Sequence, residues 1–206
     1  MNTIITIGRQ FGSGGREIGR ILSQKLDVPF YDRDLITRAA KESGFCEELI
    51  ETHDERPTNS FLYNLVMDTY SFGYTAAGMV DMPISQKVFL AQFNAIKKIA
   101  DEGPCVIVGR CADYALADRP NHVSVFISAD MDIRIRRIME KYDLTQPKAK
   151  DMIVRQDKQR QNYHNYYANG KWGYCESYDL SLNSGILGIE GTANLLEIFV
   201  REFEKK

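Results

Sequence analysis

Residues 5–19, ITIGRQFGSGGREIG, set Gly8, Gly12, Gly14 and Gly15 between a β-branched run and a stretch with helical periodicity. A glycine turn that opens a helix presents unpaired backbone N–H groups and the positive end of the helix macrodipole, which together suit a phosphate group. Gly12, Ser13, Gly14 and Gly15 are therefore the candidate cradle for phosphate oxygens; the same residues would also serve an ordinary turn from strand to helix. The nucleotide-binding pattern GxxxxGK[ST] adds a lysine that reaches the terminal phosphates and a hydroxyl for the metal. Neither is present. With Gly14 as the pattern's last glycine, Gly15 stands where the lysine belongs; with Gly15, Arg16 takes the lysine's place and Glu17 the hydroxyl's. Arg16 is the candidate cation on this reading, although its planar fork does not substitute freely for a compact ammonium. Glu17 either marks a metal position or is a first-turn acid favoured by the helix dipole.

Further cations recur in separate segments: Arg38 in DRDLITRAAKES, Arg110 after CVIVG, Arg134 and Arg137 in ADMDIRIRRIMEKY, and Arg155, Lys158 and Arg160 in VRQDKQRQNYHNYY. Arg134 and Arg137 are three residues apart and share a helical face. Each of these charges also fits a solvated helix surface. Phosphoryl transfer asks little covalent help of a protein beyond alignment and stabilisation of charge on the equatorial oxygens. A glycine cradle with arginines from several segments supplies those kinds of parts.

The elements that would position them alternate. Strands are expected at 3–8, 28–31, 105–109, 123–128 and in YDLSLNS, residues 178–184. Helices are expected over 16–26, after Asp32, from Ile84 to about Ala100, from near Asp130, through QPKAKDMIVRQDKQRQNYHNYY to near Gly170, and in EGTANLLEIFVREFEKK. Such alternation predicts a parallel sheet with helices on both faces. Residues 45–82, rich in aromatics, Met and Gly without sustained periodicity, read as a substrate-covering insertion or a subunit interface; a homo-oligomer is compatible with either.

With 206 residues the chain fits one domain, and a net charge of −2 argues against a general nucleic-acid binder. The four cysteines form no CxxC and the histidines number three, which suggests neither a zinc site nor a disulfide framework. No basic segment precedes an apolar stretch at the N-terminus, and no run of about 18 apolar residues occurs. A cytoplasmic protein without a membrane partner is expected.

The motifs ITIGRQFGSGGREIG, PFYDRDLITRAA, VIVGRCADYAL, ISADMDIRIRRIME and YDLSLNSGILGIE together resemble the cytidylate kinase-like family, relatives of the bacterial cytidylate kinases among the P-loop nucleoside monophosphate kinases. The resemblance implies a P-loop NTPase-like three-layer α/β/α fold with a five-stranded parallel sheet and a helical lid at about 130–170. It implies an ATP-dependent kinase using Mg2+, acting on a nucleoside monophosphate or related small metabolite. In the family scheme Asp32, Arg38 and Arg110 hold the acceptor, while Arg134, Arg137, Arg155 and Arg160 close over the transferring group. Glu17 or Asp32 would be the metal's direct or water-mediated ligand.

The chain departs from the family in three places. DRDLITR keeps Asp32 and Arg38 of the family's DSGAxYR segment but lacks its Ser and Tyr, and Cys111 replaces the acid of GRD. Asp113 is either a substitute acid or a capping residue, and Trp172 either stacks on a base or packs. A non-catalytic nucleotide-binding or sensing protein that retained the fold and its arginines stays open beside the kinase.

Overall fold

In the computed structural model, which describes residues 1–32, 38, 44 and 83–205, the first β-branched run forms β1 (Ile4–Arg9). Ile4, Ile5 and Ile7 are fully buried, because successive strand side chains leave opposite faces and both faces are covered. Ile4 packs with Ile107 against Val88, Ile96 and Ile99, whereas Ile5 and Ile7 pack with Val106, Val108, Val125 and Ile127. Each such side chain withdrawn from water contributes about 1.5–3 kcal/mol.

β1 lies at the centre of a parallel sheet with β2 (Phe30–Tyr31), β3 (Cys105–Val108), β4 (His122–Ser128) and β5 (Leu180–Asn183). The order is β2-β3-β1-β4-β5, with Ile7 beside Val108 on one flank and Val125 on the other. α1 (Gly15–Leu26) and α6 (Ser184–Phe203) cover the Ile5 face through Ile18, Leu22, Leu196 and Val200. α2 (Ile84–Glu102) and the short α3 (Ala112–Ala115) cover the Ile4 face. The three-layer α/β/α arrangement expected from the sequence is present.

α4 (Met131–Tyr142) and α5 (Gln146–Tyr167) pair through a core of their own, built on Ile135, Ile138, Ala149 and Ile153. The chain leaves β1 toward β2 on one side of the sheet and leaves β4 toward β5 on the other. This divergence opens a crevice at the carboxyl ends of adjacent strands, where open parallel sheets take their ligands.

Boundaries differ from the sequence reading in instructive ways. β1 runs one residue past Gly8, because Arg9 still pairs in register with Ile127. The last helix begins at Ser184 rather than near Glu190: the Asn183 side chain caps it by accepting the Gly185 N–H at 2.9 Å, and the kink at Gly188, φ +69°, joins two helical pieces. α5 stops at Tyr167, short of Gly170. The helix expected after Asp32, Arg38 apart, and the whole 45–82 segment lie outside the described residues. No described helix is long and apolar enough to cross a membrane.

Candidate active site

The loop between β1 and α1 takes its shape from Gly12 and Gly14, both at φ +80°, a left-handed conformation that costs glycine nothing. Gly14 precedes the first turn of α1 and has no side chain to cap it; the Ser13 hydroxyl accepts the Gly15 N–H at a long 3.4 Å. The positive end of the helix dipole and its first-turn N–H groups are left to the loop. Ser13 is turned inward: it is fully buried, and both its hydroxyl (2.8 Å) and its N–H (3.3 Å) donate to the Gln10 carbonyl. It tightens the turn from behind.

Three other segments fasten this loop: α4, α5 and the first residue of α6, Ser184, whose hydroxyl donates to the Ser13 carbonyl. From α4, the Arg137 guanidinium donates to the Ser13 carbonyl at 2.9 Å, the Gly12 carbonyl at 3.4 Å and the Ser184 hydroxyl at 3.1 Å. Burial lowers the Arg137 pKa from its ordinary value, and the nearby Glu17 carboxylate opposes that shift. From α5, Asp157 accepts the Phe11 N–H at 2.7 Å and pairs with Arg134, which in turn donates to the Phe11 carbonyl at 3.2 Å. Arg160 donates to the Arg9 carbonyl at 3.3 Å and lies 5.4 Å from the centre of the Phe11 ring.

On the other flank, the buried Asp32 carboxylate is shared by two arginines: Arg110 donates to one oxygen at 3.0 Å, and the Arg16 Nε holds the other. Arg110 is aimed there by an unusual turn after β3, in which Gly109, Arg110 and Cys111 all have positive φ, at +78°, +55° and +53°. Two consecutive non-glycine residues in that region carry strain of the kind held at functional sites. The Gly109 position has a second requirement, since a Cβ there would lie 2.2 Å from a guanidinium nitrogen of Arg9.

Together these segments enclose a cleft of about 1140 Å³, roomy enough for more than one small ligand. Gly12, Gly14, Gly15, Arg16, Glu17, Asp32, Arg110, Arg137 and Arg160, all singled out from the sequence, meet on its wall. The other candidates lie elsewhere. Ser13 is behind the loop, Arg134 is committed to Asp157, and Arg155 and Lys158 are exposed on α5 outside the cleft wall. Arg38 pairs with Glu102 at the end of α2, where it holds the Glu102 carboxyl below the usual carboxylate range.

Asp113, the candidate substitute acid, meets His164 Nε2 at 2.6 Å, and Trp172 packs edge-on against Phe126 with ring centres 5.2 Å apart. Among the described residues, no three metal-ligating side chains cluster. Among the described cysteines, Cys105 and Cys111 are buried and Cys175 is exposed.

The wall also contains cations that the sequence reading passed over: Arg9, Arg20 and Lys141. Two of them carried a signal. Arg20 follows Arg16 and Lys141 follows Arg137 by four residues, which places each pair on one helical face. Arg9 carried none, because a residue directly after Gly8 reads as the end of a strand. Phe11 and Tyr142, stacked with ring centres 6.3 Å apart and planes 17° from parallel, complete the wall beside the loop.

A glycine loop between the central strand and the helix that follows it, beside a cationic cleft at the sheet's divergence point, is the arrangement of a kinase-like P-loop fold. The chain belongs to the cytidylate kinase-like family, whose model matches residues 4–186. It is similar to the solved structure of an uncharacterized protein from Eubacterium ventriosum ATCC 27560, with 28% identity, a TM-score of 0.71, and 97% of this chain and 98% of that chain covered. It shares the fold of a shikimate kinase from Bacteroides thetaiotaomicron, with 14% identity, a TM-score of 0.56, and 98% and 99% of the two chains covered. No curated protein matches the chain.

Proposed function

We propose that the protein is a small-molecule kinase that transfers the γ-phosphoryl group of ATP to a nucleoside monophosphate or a related phosphorylated metabolite. The observation that carries this reading is the convergence of the loop with seven cationic side chains, from β1, α1, the β3 turn, α4 and α5, on one cleft that holds three carboxylates among the described residues. Anion binding at one loop needs fewer. Two phosphate-bearing ligands brought end to end need charge on both sides of the transferring group.

In this reading the loop and the α1 N-terminus hold the donor phosphates, Arg110 on the β3 turn faces the acceptor, and Arg160 with α4 and α5 shields the reacting atoms from water. An oxygen of the acceptor's phosphate dianion attacks the γ-phosphorus, the bond from that phosphorus to the β,γ-bridging oxygen breaks, and ADP leaves; the attacking oxygen carries no proton, so none is released. The residues fit Mg2+ only as an ion carried largely by the phosphate oxygens. Asp32 is taken by two arginines, which leaves Glu17, in the first turn of α1, as the cleft-wall carboxylate that adjoins the loop in sequence. Bound there, the ion would neutralise charge on the donor phosphates. The reading needs a cytoplasmic supply of ATP and neither a nucleic-acid nor a membrane partner.

Calorimetric titration with ATP and with GTP, with and without magnesium, followed by transfer assays against a panel of nucleoside monophosphates, tests it. Magnesium-dependent binding with transfer to one acceptor is the expected outcome. Tight nucleotide binding without transfer to any member of the panel would favour the non-catalytic sensor instead.

A further inference from the structure

With Gly14 taken as the pattern's last glycine, position 15 is where a loop of this kind carries its lysine, and the space around it is filled. A Cβ built on Gly15 would lie 2.6 Å from the Cβ of Arg9 and 3.2 Å from its Cγ. Carbon atoms do not approach so closely without displacement. The stem of Arg9 therefore runs through the place from which a lysine at 15 would set out.

The same side chain continues to the turn after β3. A Cβ on Gly109 would lie 2.2 Å from its Nη1 and 2.8 Å from its Cζ. Two glycines from distant parts of the chain thus clear the path of one arginine, Gly15 beside its stem and Gly109 beside its guanidinium. Arg9 is the last residue of β1, lies on the cleft wall and is only 9% exposed. Arg16, by contrast, has a side chain 63% exposed and its Nε committed to Asp32.

We propose that Arg9 is the donor-phosphate cation of this loop, delivered from the strand end into the place of the missing lysine, and that Arg16 is not. The inference rests on reading the loop as the donor-phosphate site. A guanidinium held on a strand paired to β4 loses little freedom on binding, and its burial leaves its charge less screened than an exposed one. Its fork bonds two phosphate oxygens at once, where an ammonium acts as a point charge. The loss of lysine at 15 and the presence of arginine at 9 are then two halves of one exchange.

The test uses inorganic tripolyphosphate as a probe that needs neither a base nor an acceptor, measured by calorimetry beside ATP turnover. Arg9→Met is expected to weaken tripolyphosphate binding at least tenfold and to cut turnover at least a hundredfold; Arg9→Lys recovers part of both. Arg16→Met is expected to lose at least tenfold less binding than Arg9→Met. Gly15→Lys alone should fail through collision with the Arg9 stem, while Arg9→Gly/Gly15→Lys regains at least tenfold in binding over Arg9→Gly.

Thermal melting separates loss of fold from loss of binding. If Arg9→Met does not fold, the double variant decides: recovery supports the exchange and its absence overturns it. Folded Arg9 variants that bind tripolyphosphate like the parent, an Arg16→Met variant that loses more, or a parent that binds no tripolyphosphate would each overturn the assignment. A parent that binds tripolyphosphate through Arg9 yet transfers to no acceptor would sink the kinase reading alone, and transfer insensitive to Arg9 would sink the Arg9 assignment alone.

Discussion

Arg110 and Asp32 form a buried ion pair, 3.0 Å between Nη1 and Oδ1, and the second oxygen of the same carboxylate is held by Arg16. One acid thus orders two arginines, one from the strained turn after β3 and one from the first turn of α1. Removing one partner of a buried pair leaves its charge uncompensated, which costs about 3–5 kcal/mol. Asp32→Asn preserves shape and removes the charge. It should lower the unfolding free energy by about 3 kcal/mol in chemical denaturation, with most of the loss tracing to Arg110, since the Arg16 side chain is largely exposed.

The long basic helix separates two kinds of arginine that look alike in the sequence. Arg134 is buried against Asp157 and ties α4 to α5 and to the start of the loop, whereas Arg155 is exposed outside the cleft wall. Arg134→Met should destabilise the protein by about 3 kcal/mol. Arg155→Met should stay within about 0.5 kcal/mol of the parent. Paired urea titrations check both; an Arg134→Met variant as stable as the parent would remove the proposed tie.

How far the molecule is legible from its residues follows the range of the interactions concerned. β1, α1 and the glycine loop are legible because strand composition, turn chemistry and helical periodicity are local. The division of labour between Arg134 and Arg137 is not: three residues apart on one face, they are told apart only by Asp157, more than a turn into the next helix, and by Ser184, beyond β5. Arg9 is hidden for a related reason. Its meaning depends on Gly15 and Gly109, and only the folded sheet brings these to the two ends of its side chain. Asp113 was legible as a charge but not as the partner of His164, fifty-one residues on.

His122 gives a pH dependence with a definite sign. Burial at the start of β4 lowers its pKa below the ordinary histidine value, against the opposing pull of Asp113, Asp179 and the Leu116 carbonyl; the Thr6 hydroxyl lies 2.7 Å from Nε2. The unfolded chain therefore binds more protons at this site than the folded one, and stability rises with pH across that window. The contribution is fully present above the unfolded value near 6.5 and is lost as pH falls toward the depressed folded value. The slope is at most about 1.4 kcal/mol per pH unit. Denaturation between pH 7 and pH 5, above the range where the carboxylates protonate, should show this decline, and His122→Gln should flatten it. An unchanged slope in the variant would assign the effect elsewhere.

The cysteines should differ in reactivity. Burial pushes the Cys105 thiol up to about 12, which leaves almost no thiolate at neutral pH, whereas Cys175 is exposed. Iodoacetamide at pH 8 should label Cys175 rapidly and spare Cys105 until the protein is denatured. Peptide mass spectrometry on a time course reads both sites, and early labelling of Cys105 would mean that the end of α2 opens readily.

Arg137 lies on the cleft wall and also holds the loop from behind, so its two roles must be separated by choice of substitution. Its Nη1 donates to the carbonyls of Gly12 and Ser13, and its Nη2 reaches the Ser184 carbonyl at 3.4 Å. A lysine keeps the charge but cannot span these acceptors with a planar fork. If bracing dominates, Arg137→Lys should weaken nucleotide binding by about tenfold, equivalent to about 1.4 kcal/mol. Ser184→Ala, which removes a hydroxyl bonded to both the Ser13 carbonyl and Arg137, should cost about 1 kcal/mol of stability and shift binding in the same direction. If the charge itself dominates, Arg137→Lys should bind nucleotide nearly as the parent does, and Ser184→Ala should leave affinity untouched. Calorimetry on the two variants and their combination distinguishes the cases: coupling through one brace makes the combined loss smaller than the sum of the single losses, and independent effects add.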